Sequence, residues 1–194
     1  MIIGITGKSG AGKSYVSEII SKRLDMIHLD IDKISHEVLT FDKTIKFILK
    51  TFGHSVFENG QINRKKLGKI VFNDTLKLKT LNDFCQNQIE KQIDQILSST
   101  NKSVVLDYAL LCKLKQFELC DVKILLNSDI NTRFNRVAKR ENISREYFLS
   151  RDNSIDDFNG ITFYYIYENI SESEIENLII ELKNKEQSWL EKLQ

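Results

Sequence analysis

A glycine-rich segment near the beginning of the chain has the composition of a phosphate-binding loop. It reads GKSGAGKS and fits the pattern G-x-x-x-x-G-K-[ST] at every position. Glycines let the backbone turn its N–H groups inward around phosphate oxygens. The lysine of such a loop reaches the β- and γ-phosphates, and the hydroxyl of the last residue holds Mg²⁺. The segment therefore predicts a site for ATP or GTP with Mg²⁺, formed by Gly7, Lys8, Ser9, Gly10, Ala11, Gly12, Lys13 and Ser14.

Acidic side chains lie at the ends of two predicted strands. Asp30 and Asp32 alternate along the end of MIHLDID and so lie on the same side, and Asp107 ends SVVLD. A hydroxyl that attacks a γ-phosphate needs a carboxylate that orients it and takes its proton, and we expect one of the pair to do so. One or both could instead cap the helix that begins at Lys33. Asp107 is expected to hold Mg²⁺ through water or to contact the acceptor, and Asp30 is an alternative for the Mg²⁺ role.

A strongly basic helix follows the fourth predicted strand. Arg136 and Arg140 are four residues apart on one face of this helix. Arginines stabilise the negative charge that spreads over a transferring phosphoryl group, and an arginine-rich lid can exclude water. A solvated charged face is the alternative interpretation. On the acceptor side, His36 lies one helical turn after the acidic pair and is predicted to contact a substrate.

Strands that alternate with helices must position the candidate site residues. Apolar runs predict five strands separated by helices, which indicates an α/β protein with a parallel sheet and helices on both faces. Ligands of such sheets bind beyond the carboxyl ends of the strands. We predict one domain with its core in 1–32, 99–132 and 160–194, a helical insertion in 33–98 and a lid in 133–159. The predicted strands are 1–6, 26–32, 103–107, 121–127 and 162–169.

Composition narrows the class of protein. The 194 residues carry a net charge of +1, so the charge balance favours neither nucleic acid nor an acidic membrane as a partner. The three cysteines form no C-x-x-C pair, and no apolar stretch reaches membrane-spanning length. We expect a cytoplasmic protein that acts on small molecules, as a monomer or a weak homo-oligomer.

Motifs of nucleotide-dependent switches are incomplete. A guanine-reading N-K-x-D is absent, since NKSV and NKEQ both lack the aspartate. The D-x-x-G at Asp157–Gly160 does not follow a predicted strand. Phosphoryl transfer to a small acceptor is the favoured interpretation. A nucleoside or nucleoside monophosphate kinase, a nucleotide-binding switch without kinase turnover, and a relative that binds but no longer catalyses remain alternatives.

Several separate stretches resemble the dephospho-CoA kinases. They include IGITGKSGAGKS, HLDIDKISHEVL, FGHSVFENGQINRKKLGKIVFND, VVLDYALL, RFNRVAKRENISREYFLSR and YYIYEN, which together span nearly the whole chain. The resemblance implies the P-loop NTPase architecture of three α/β/α layers, with a helical CoA-binding insertion and an arginine-rich lid. It also implies transfer of the γ-phosphate of ATP to the 3′-hydroxyl of dephospho-CoA, which yields coenzyme A and ADP.

The resemblance further implies roles for individual residues. Asp32 matches the catalytic base, and Lys13 and Ser14 match the phosphate and Mg²⁺ residues. Arg140 matches a lid arginine that contacts the ATP phosphates, with Arg136 beside it. The expected acceptor-binding residues are Thr6, Asp30, Asp32, His36, Arg64, Asp107 and Leu110.

Three places in the sequence depart from the family pattern. A His-Pro pair is usual in the helical insertion, where this chain has Gln86-Asn87. A glutamate is usual after the third predicted strand, where this chain has Lys113, and a lid glutamine is replaced by Ile155. These departures concern the expected acceptor side and leave the phosphate-binding segment intact.

Overall fold

The strands of the protein form one parallel sheet and one small hairpin. The structure is a computed structural model that describes residues 1–155 and 157–191. Within these ranges the strands are β1 (Ile2–Thr6), β2 (Ile27–Asp30), β3 (Phe57–Glu58), β4 (Gln61–Ile62), β5 (Val104–Asp107), β6 (Val122–Asn127) and β7 (Tyr165–Glu168). Five of them form a sheet with the order β2-β5-β1-β6-β7, and β3 pairs with β4 as an antiparallel hairpin.

Helices cover both faces of this sheet. On one face, α1 (Lys13–Arg23) and α8 (Glu172–Glu191) pack their buried Val16 and Leu178 against Ile5 and Ile124 of the central strands. On the other face, α2 (Ile31–Val38) and α5 (Thr75–Ser98) pack against Leu106 and its neighbours. The predicted α/β class with a parallel sheet between two helical layers is confirmed. The helices are α1 (Lys13–Arg23), α2 (Ile31–Val38), α3 (Asp42–Phe52), α4 (Arg64–Val71), α5 (Thr75–Ser98), α6 (Ile130–Glu141), α7 (Arg145–Asp152) and α8 (Glu172–Glu191).

The segment between β2 and β5 is mainly helical, as predicted, but it also contains the β3–β4 hairpin. Asn59 and Gly60 form its turn, with φ of 50° and 80°. Positive φ at both central residues is typical of the two-residue turn that matches strand twist, and an Asn-Gly pair is its usual sequence. The local signal for the hairpin was therefore present in ENGQ. A small core of its own, which includes Ile48, Ile62 and Leu67, holds α3, α4 and the hairpin together.

Two strand boundaries differ from the predictions. The second strand ends at Asp30, and Asp32 lies in the first turn of α2 instead of continuing the strand. The reason is a cap, because the Asp30 side chain accepts a hydrogen bond from the Lys33 amide at 3.2 Å and starts the helix early. The last strand is shorter than predicted, since its pairing with β6 covers only Tyr165–Glu168.

In the described ranges no helix combines the length and apolar character needed to cross a bilayer. Cys85, Cys112 and Cys120 are all free thiols.

Candidate active site

The glycine-rich segment forms a loop between β1 and the beginning of α1. We call residues 7–14 the phosphate loop. Its backbone requires glycine at two close approaches, since a Cβ on Gly7 would lie 2.0 Å from the Leu126 carbonyl oxygen and one on Gly10 would lie 2.6 Å from that of Arg133. Both glycines also have positive φ. The helix that follows has Gly12 at its N-cap, with no side-chain hydrogen bond there. Its first amides are thus available to an anion.

Lys13 is the most enclosed cation of this loop. Its side chain is buried, yet among the described residues none forms a hydrogen bond or ion pair with its ammonium group. Burial lowers the pKa of Lys13, while the nearby carboxylates of Asp107 and Asp32 oppose that change. Ser14 beside it is exposed to the same cleft. An unpaired buried cation at a helix beginning is suited to bind phosphate oxygens.

Asp32 faces the phosphate loop from the first turn of α2. Water reaches this carboxylate from the cleft, but the surrounding walls displace much of its hydration and raise its pKa. Lys13 opposes the increase, and Asp107 and Asp30 add to it. A carboxylate with a raised pKa beside a phosphate site can accept a proton from an attacking hydroxyl.

Asp107 lies next to Asp30 across the sheet, in register at the ends of β5 and β2. Its side chain is 1% exposed, and neither carboxylate oxygen has a hydrogen-bond partner among the described residues. His28 Nε2 lies 3.5 Å from one of these oxygens. Buried carboxylates are normally satisfied, so two unpartnered oxygens beside the phosphate loop fit a hydrated cation. In the described ranges no cluster of three or more acidic, histidine or cysteine side chains that could hold a metal ion occurs.

One cleft of about 800 Å³ collects most of the predicted residues. Its walls are the phosphate loop, α2, α4, the segment after β5, and the lid helices α6 and α7. Away from the charged groups, apolar side chains such as Phe72, Leu81 and Tyr147 form one wall. The predicted site residues that line this cleft are Ser9, Lys13, Ser14, Asp30, Asp32, His36, Arg64, Leu110 and Arg140.

Other predicted residues lie outside the lining. Thr6 is buried and donates a hydrogen bond to the Ala109 carbonyl at 3.3 Å, which ties β1 to the segment after β5. The Lys8 ammonium lies 3.4 Å from Asp157 and 3.9 Å from Asp152, so its side chain pairs with carboxylates of the lid region. Each of these side chains has a partner within the protein.

The lid arginines divide between the cleft and the phosphate loop. Arg140 lines the cleft and pairs with Glu141. Arg136 donates to the Gly10 carbonyl at 3.1 Å and is not among the described residues that line the cleft. Arg136 therefore supports the loop from outside in this structure.

Arg151 is a functional candidate of the lid that the sequence analysis did not single out. Its guanidinium donates to the Ser9 hydroxyl at 2.9 Å and to Glu141 at 2.6 Å. It also lines the cleft and is one of the charges that act on Lys13. The sequence gave no sign of the Arg151–Ser9 contact, because the two residues lie 142 positions apart in the chain.

Two departures from the family pattern turn out to contact each other. Gln86 donates to the Lys113 carbonyl at 2.7 Å and to Glu90 at 2.8 Å. Neither Gln86 nor Lys113 belongs to the described lining of the cleft, whereas Ile155 does. Gln86 thus holds the segment after β5 against α5.

Comparison with known proteins assigns this site to a family. A dephospho-CoA kinase family model matches residues 1–155. The chain belongs to the dephospho-CoA kinase family. A dephospho-CoA kinase of Carboxydothermus hydrogenoformans is 35% identical over 156 residues, which are 77% of this chain and 75% of that relative. The resemblance inferred from the motifs is confirmed.

Solved structures agree with the fold over almost the whole chain. The dephospho-CoA kinase of Campylobacter jejuni is 25% identical, with a TM-score of 0.56 over 95% of this chain and 96% of that one. A Thermus thermophilus protein reaches a TM-score of 0.76 at 24% identity and covers 95% of this chain and 97% of its own. The second likeness shows the fold alone. Membership of a kinase family implies that the phosphate loop binds a nucleotide substrate.

Proposed function

We propose that this chain transfers the γ-phosphate of ATP to the 3′-hydroxyl of dephospho-CoA and releases coenzyme A and ADP. The observation that carries the proposal is the meeting of two groups in one cleft. The buried Lys13, whose ammonium has no partner among residues 1–155 and 157–191, lies at the beginning of α1, and the Asp32 carboxylate faces it from α2. One group suits the phosphates of the donor and the other suits the hydroxyl of the acceptor.

The residues of the cleft supply the parts of an in-line transfer. Asp32 orients the ribose hydroxyl and takes its proton as the oxygen attacks the γ-phosphorus and the bond to the ADP oxygen breaks. Lys13 and Arg140 stabilise the charge on the transferring group, and the amides of the phosphate loop hold the β-phosphate. The proton then leaves Asp32 to solvent.

Mg²⁺ belongs to the proposal as a companion of ATP. Ser14 would hold it directly, and the unpartnered oxygens of Asp107 would hold it through water. Asp30, which caps α2, is a weaker candidate because one of its oxygens already accepts from an amide and Lys33 lies 3.2 Å from the other. When bound, Mg²⁺ neutralises charge on the phosphate oxygens.

The acceptor is proposed to lie between the sheet edge and the 33–98 insertion. His36, Arg64 and Leu110 line that side of the cleft. The lid, 133–159, covers the donor side with Arg140 and Arg151. A cytoplasmic location and a monomeric or weakly associating state remain predictions.

An acceptor comparison tests the proposal. ADP release is followed with Mg·ATP and dephospho-CoA, coenzyme A, adenosine or a nucleoside monophosphate as acceptor. We expect turnover with dephospho-CoA and a loss of about 10²–10⁴ in kcat for Asp32→Asn, the usual contribution of a general base. Binding of ATP should persist in that variant.

The matched control is Asp83→Asn, which removes an exposed carboxylate of α5 paired with Lys79. It should leave kcat unchanged. Turnover driven only by another acceptor would assign the chain to a sister kinase reaction. ATP binding without turnover on any acceptor would contradict the proposal.

A further inference from the structure

A histidine of the edge strand β2 lies on the same face of the sheet as Asp107. His28 pairs in register with Val105 of β5, and Asp107 follows Val105 by two residues. Side chains two residues apart in a strand point to the same face of the sheet. Val105 belongs to the core cluster that includes Val16 of α1. His28 and Asp107 therefore both face the helix that begins at the phosphate loop.

This is an unusual position for an imidazole. Strands of a parallel sheet are normally apolar, because helices cover both faces. The His28 side chain is 18% exposed, but its Nε2 atom is buried and has no hydrogen-bond partner among the described residues. A buried ring nitrogen without a partner costs free energy, so the group that lies next to it deserves a functional explanation.

The neighbouring group is the Asp107 carboxylate, one of whose oxygens lies 3.5 Å from His28 Nε2. Both oxygens of this buried carboxylate also lack partners in the described part of the chain. A shift of about half an ångström would bring the nitrogen and the oxygen to the usual length of an N–H···O bond. Each of the two groups can thus satisfy the other.

Asp107 also acts on the phosphate loop. Among the charged groups that influence the pKa of Lys13, the Asp107 carboxylate has the largest effect, and it opposes the lowering caused by burial. Carboxylates at metal sites are usually oriented by hydrogen bonds from groups that do not contact the metal themselves. His28 has the location and the donor atom for such a bond.

We propose that His28 is a positioning residue for Asp107. Its Nε2–H donates to one carboxylate oxygen and leaves the other oxygen for the water shell of Mg²⁺. This inference rests on the proposed function, in which Asp107 holds the cation of Mg·ATP through water. Contacts of this kind are often long in a free enzyme and shorten when the ligand binds, which agrees with the 3.5 Å separation.

The test measures cation affinity, which needs neither acceptor nor turnover. Protein saturated with a non-hydrolysable ATP analogue is titrated with Mn²⁺, which prefers the same oxygen ligands as Mg²⁺, and free Mn²⁺ is followed by electron paramagnetic resonance. Affinity for the analogue without metal is measured in parallel by calorimetry. The second constant separates effects on the cation from effects on the phosphate loop.

His28→Phe removes the donor and keeps a planar ring. We expect Mn²⁺ affinity to fall about tenfold, the lower end of the usual cost of losing such a bond, because Asp107 contacts the cation only through water. Affinity for the metal-free analogue should stay within about twofold of the wild-type value. His28→Gln should restore most of the loss, since its amide can donate to the same oxygen. His28→Leu also lacks a donor and repeats the test if phenylalanine is not accommodated.

Two comparisons show whether the effect is specific to His28 and passes through Asp107. His54→Phe is the matched control, because His54 is exposed and lies outside the described lining of the cleft. It should change neither constant. Asp107→Asn should itself weaken Mn²⁺ binding, and adding His28→Phe to it should cause no further loss.

The outcomes separate this inference from the proposed function. If Asp107→Asn weakens Mn²⁺ binding but His28→Phe and His28→Leu do not, His28 does not position Asp107, and the function of Asp107 stands. Tighter Mn²⁺ binding by His28→Phe would mean that the imidazole competes with the cation, which also overturns the inference. An equal loss in the Asp107→Asn background would show that His28 acts by another route. If Asp107→Asn leaves Mn²⁺ binding unchanged, the proposed role of Asp107 fails together with that of His28.

Discussion

The charge of Asp32, the proposed general base, lowers the stability of the folded protein. Its pKa is raised by the loss of hydration in the cleft and by the neighbouring carboxylates of Asp107 and Asp30. In the unfolded chain the pKa of an aspartate returns to about 3.9. Ionised Asp32 therefore opposes folding above its folded pKa, and this cost is lost as the pH falls below the unfolded value.

This cost predicts that removing the charge stabilises the free protein. Asp32→Asn should raise Tm at pH 7 by about 1–3 °C while it abolishes the general base. The gain should shrink as the pH falls through the folded pKa and disappear below about pH 4, since both states of the wild-type side chain are then protonated. Thermal unfolding followed by circular dichroism from pH 4 to 8 measures it.

Asp83→Asn is again the control, because its exposed pair with Lys79 contributes little and its removal should not stabilise the protein. A lower Tm for Asp32→Asn at pH 7 would show that the carboxylate makes a favourable contact in the free protein.

At the scale of elements, a buried ion pair joins the two lid helices, and further hydrogen bonds join the lid to the phosphate loop. Arg133 of α6 pairs with Asp152 of α7, and both side chains are less than a tenth exposed. Arg133 also donates to the Ser128 carbonyl at 2.9 Å. With Arg136 and Arg151 on the loop, these contacts hold the lid against residues 9 and 10.

Removing one partner of the buried Arg133–Asp152 pair should destabilise the lid strongly. Arg133→Met leaves Asp152 buried with its main partner removed, and we expect a loss of about 3–5 kcal/mol in the free energy of unfolding. The double variant Arg133→Met/Asp152→Leu should recover most of that loss, because no buried charge is left over. Urea unfolding measures both.

An exposed pair of the same geometry serves as the comparison. Arg23 binds Glu176 through two hydrogen bonds at the surface, and Arg23→Met should have little effect. If the double variant were as unstable as Arg133→Met, the loss would come from packing and not from an unpaired charge.

For the whole molecule, the part of the chain after the family match completes the core. The family model ends at residue 155, yet β7 pairs with β6 and α8 buries Ile175, Leu178, Ile179 and Leu182. These side chains share one core cluster with α1 and the central strands. The C-terminal segment is therefore needed for the same sheet that carries the phosphate loop.

Shortening one buried side chain of α8 tests whether the core depends on this helix. Leu178→Ala should lower the free energy of unfolding by about 2–5 kcal/mol, the cost of a cavity at a fully buried leucine. Ile180→Ala, two residues away and 59% exposed, should change it little. Equal effects of the two changes in urea unfolding would show that α8 does not pack on the core as described.

Local patterns in the sequence determined the phosphate loop, the five strands and the helical character of the insertion. Each depends on neighbouring residues: glycines with positive φ in residues 7–14, and apolar residues recurring at strand or helix spacing. The hairpin could also have been predicted, since Asn59-Gly60 is its usual turn. The motifs were also sufficient to predict the family, because each motif is a local pattern of neighbouring residues.

Only the tertiary structure distinguished residues of similar type. Asp30 and Asp32 both line the cleft, but Asp30 caps α2 whereas Asp32 lies in the first turn of that helix. The structure directed Arg136 to a loop carbonyl and brought Arg140 and Arg151 to the cleft. The assignments of Arg136 and Arg151 depend on contacts between segments more than 100 residues apart in the chain, namely the bonds from the lid to residues 9 and 10. Sequence spacing cannot specify them, because which arginine meets which carbonyl is decided by how the helices pack on the sheet.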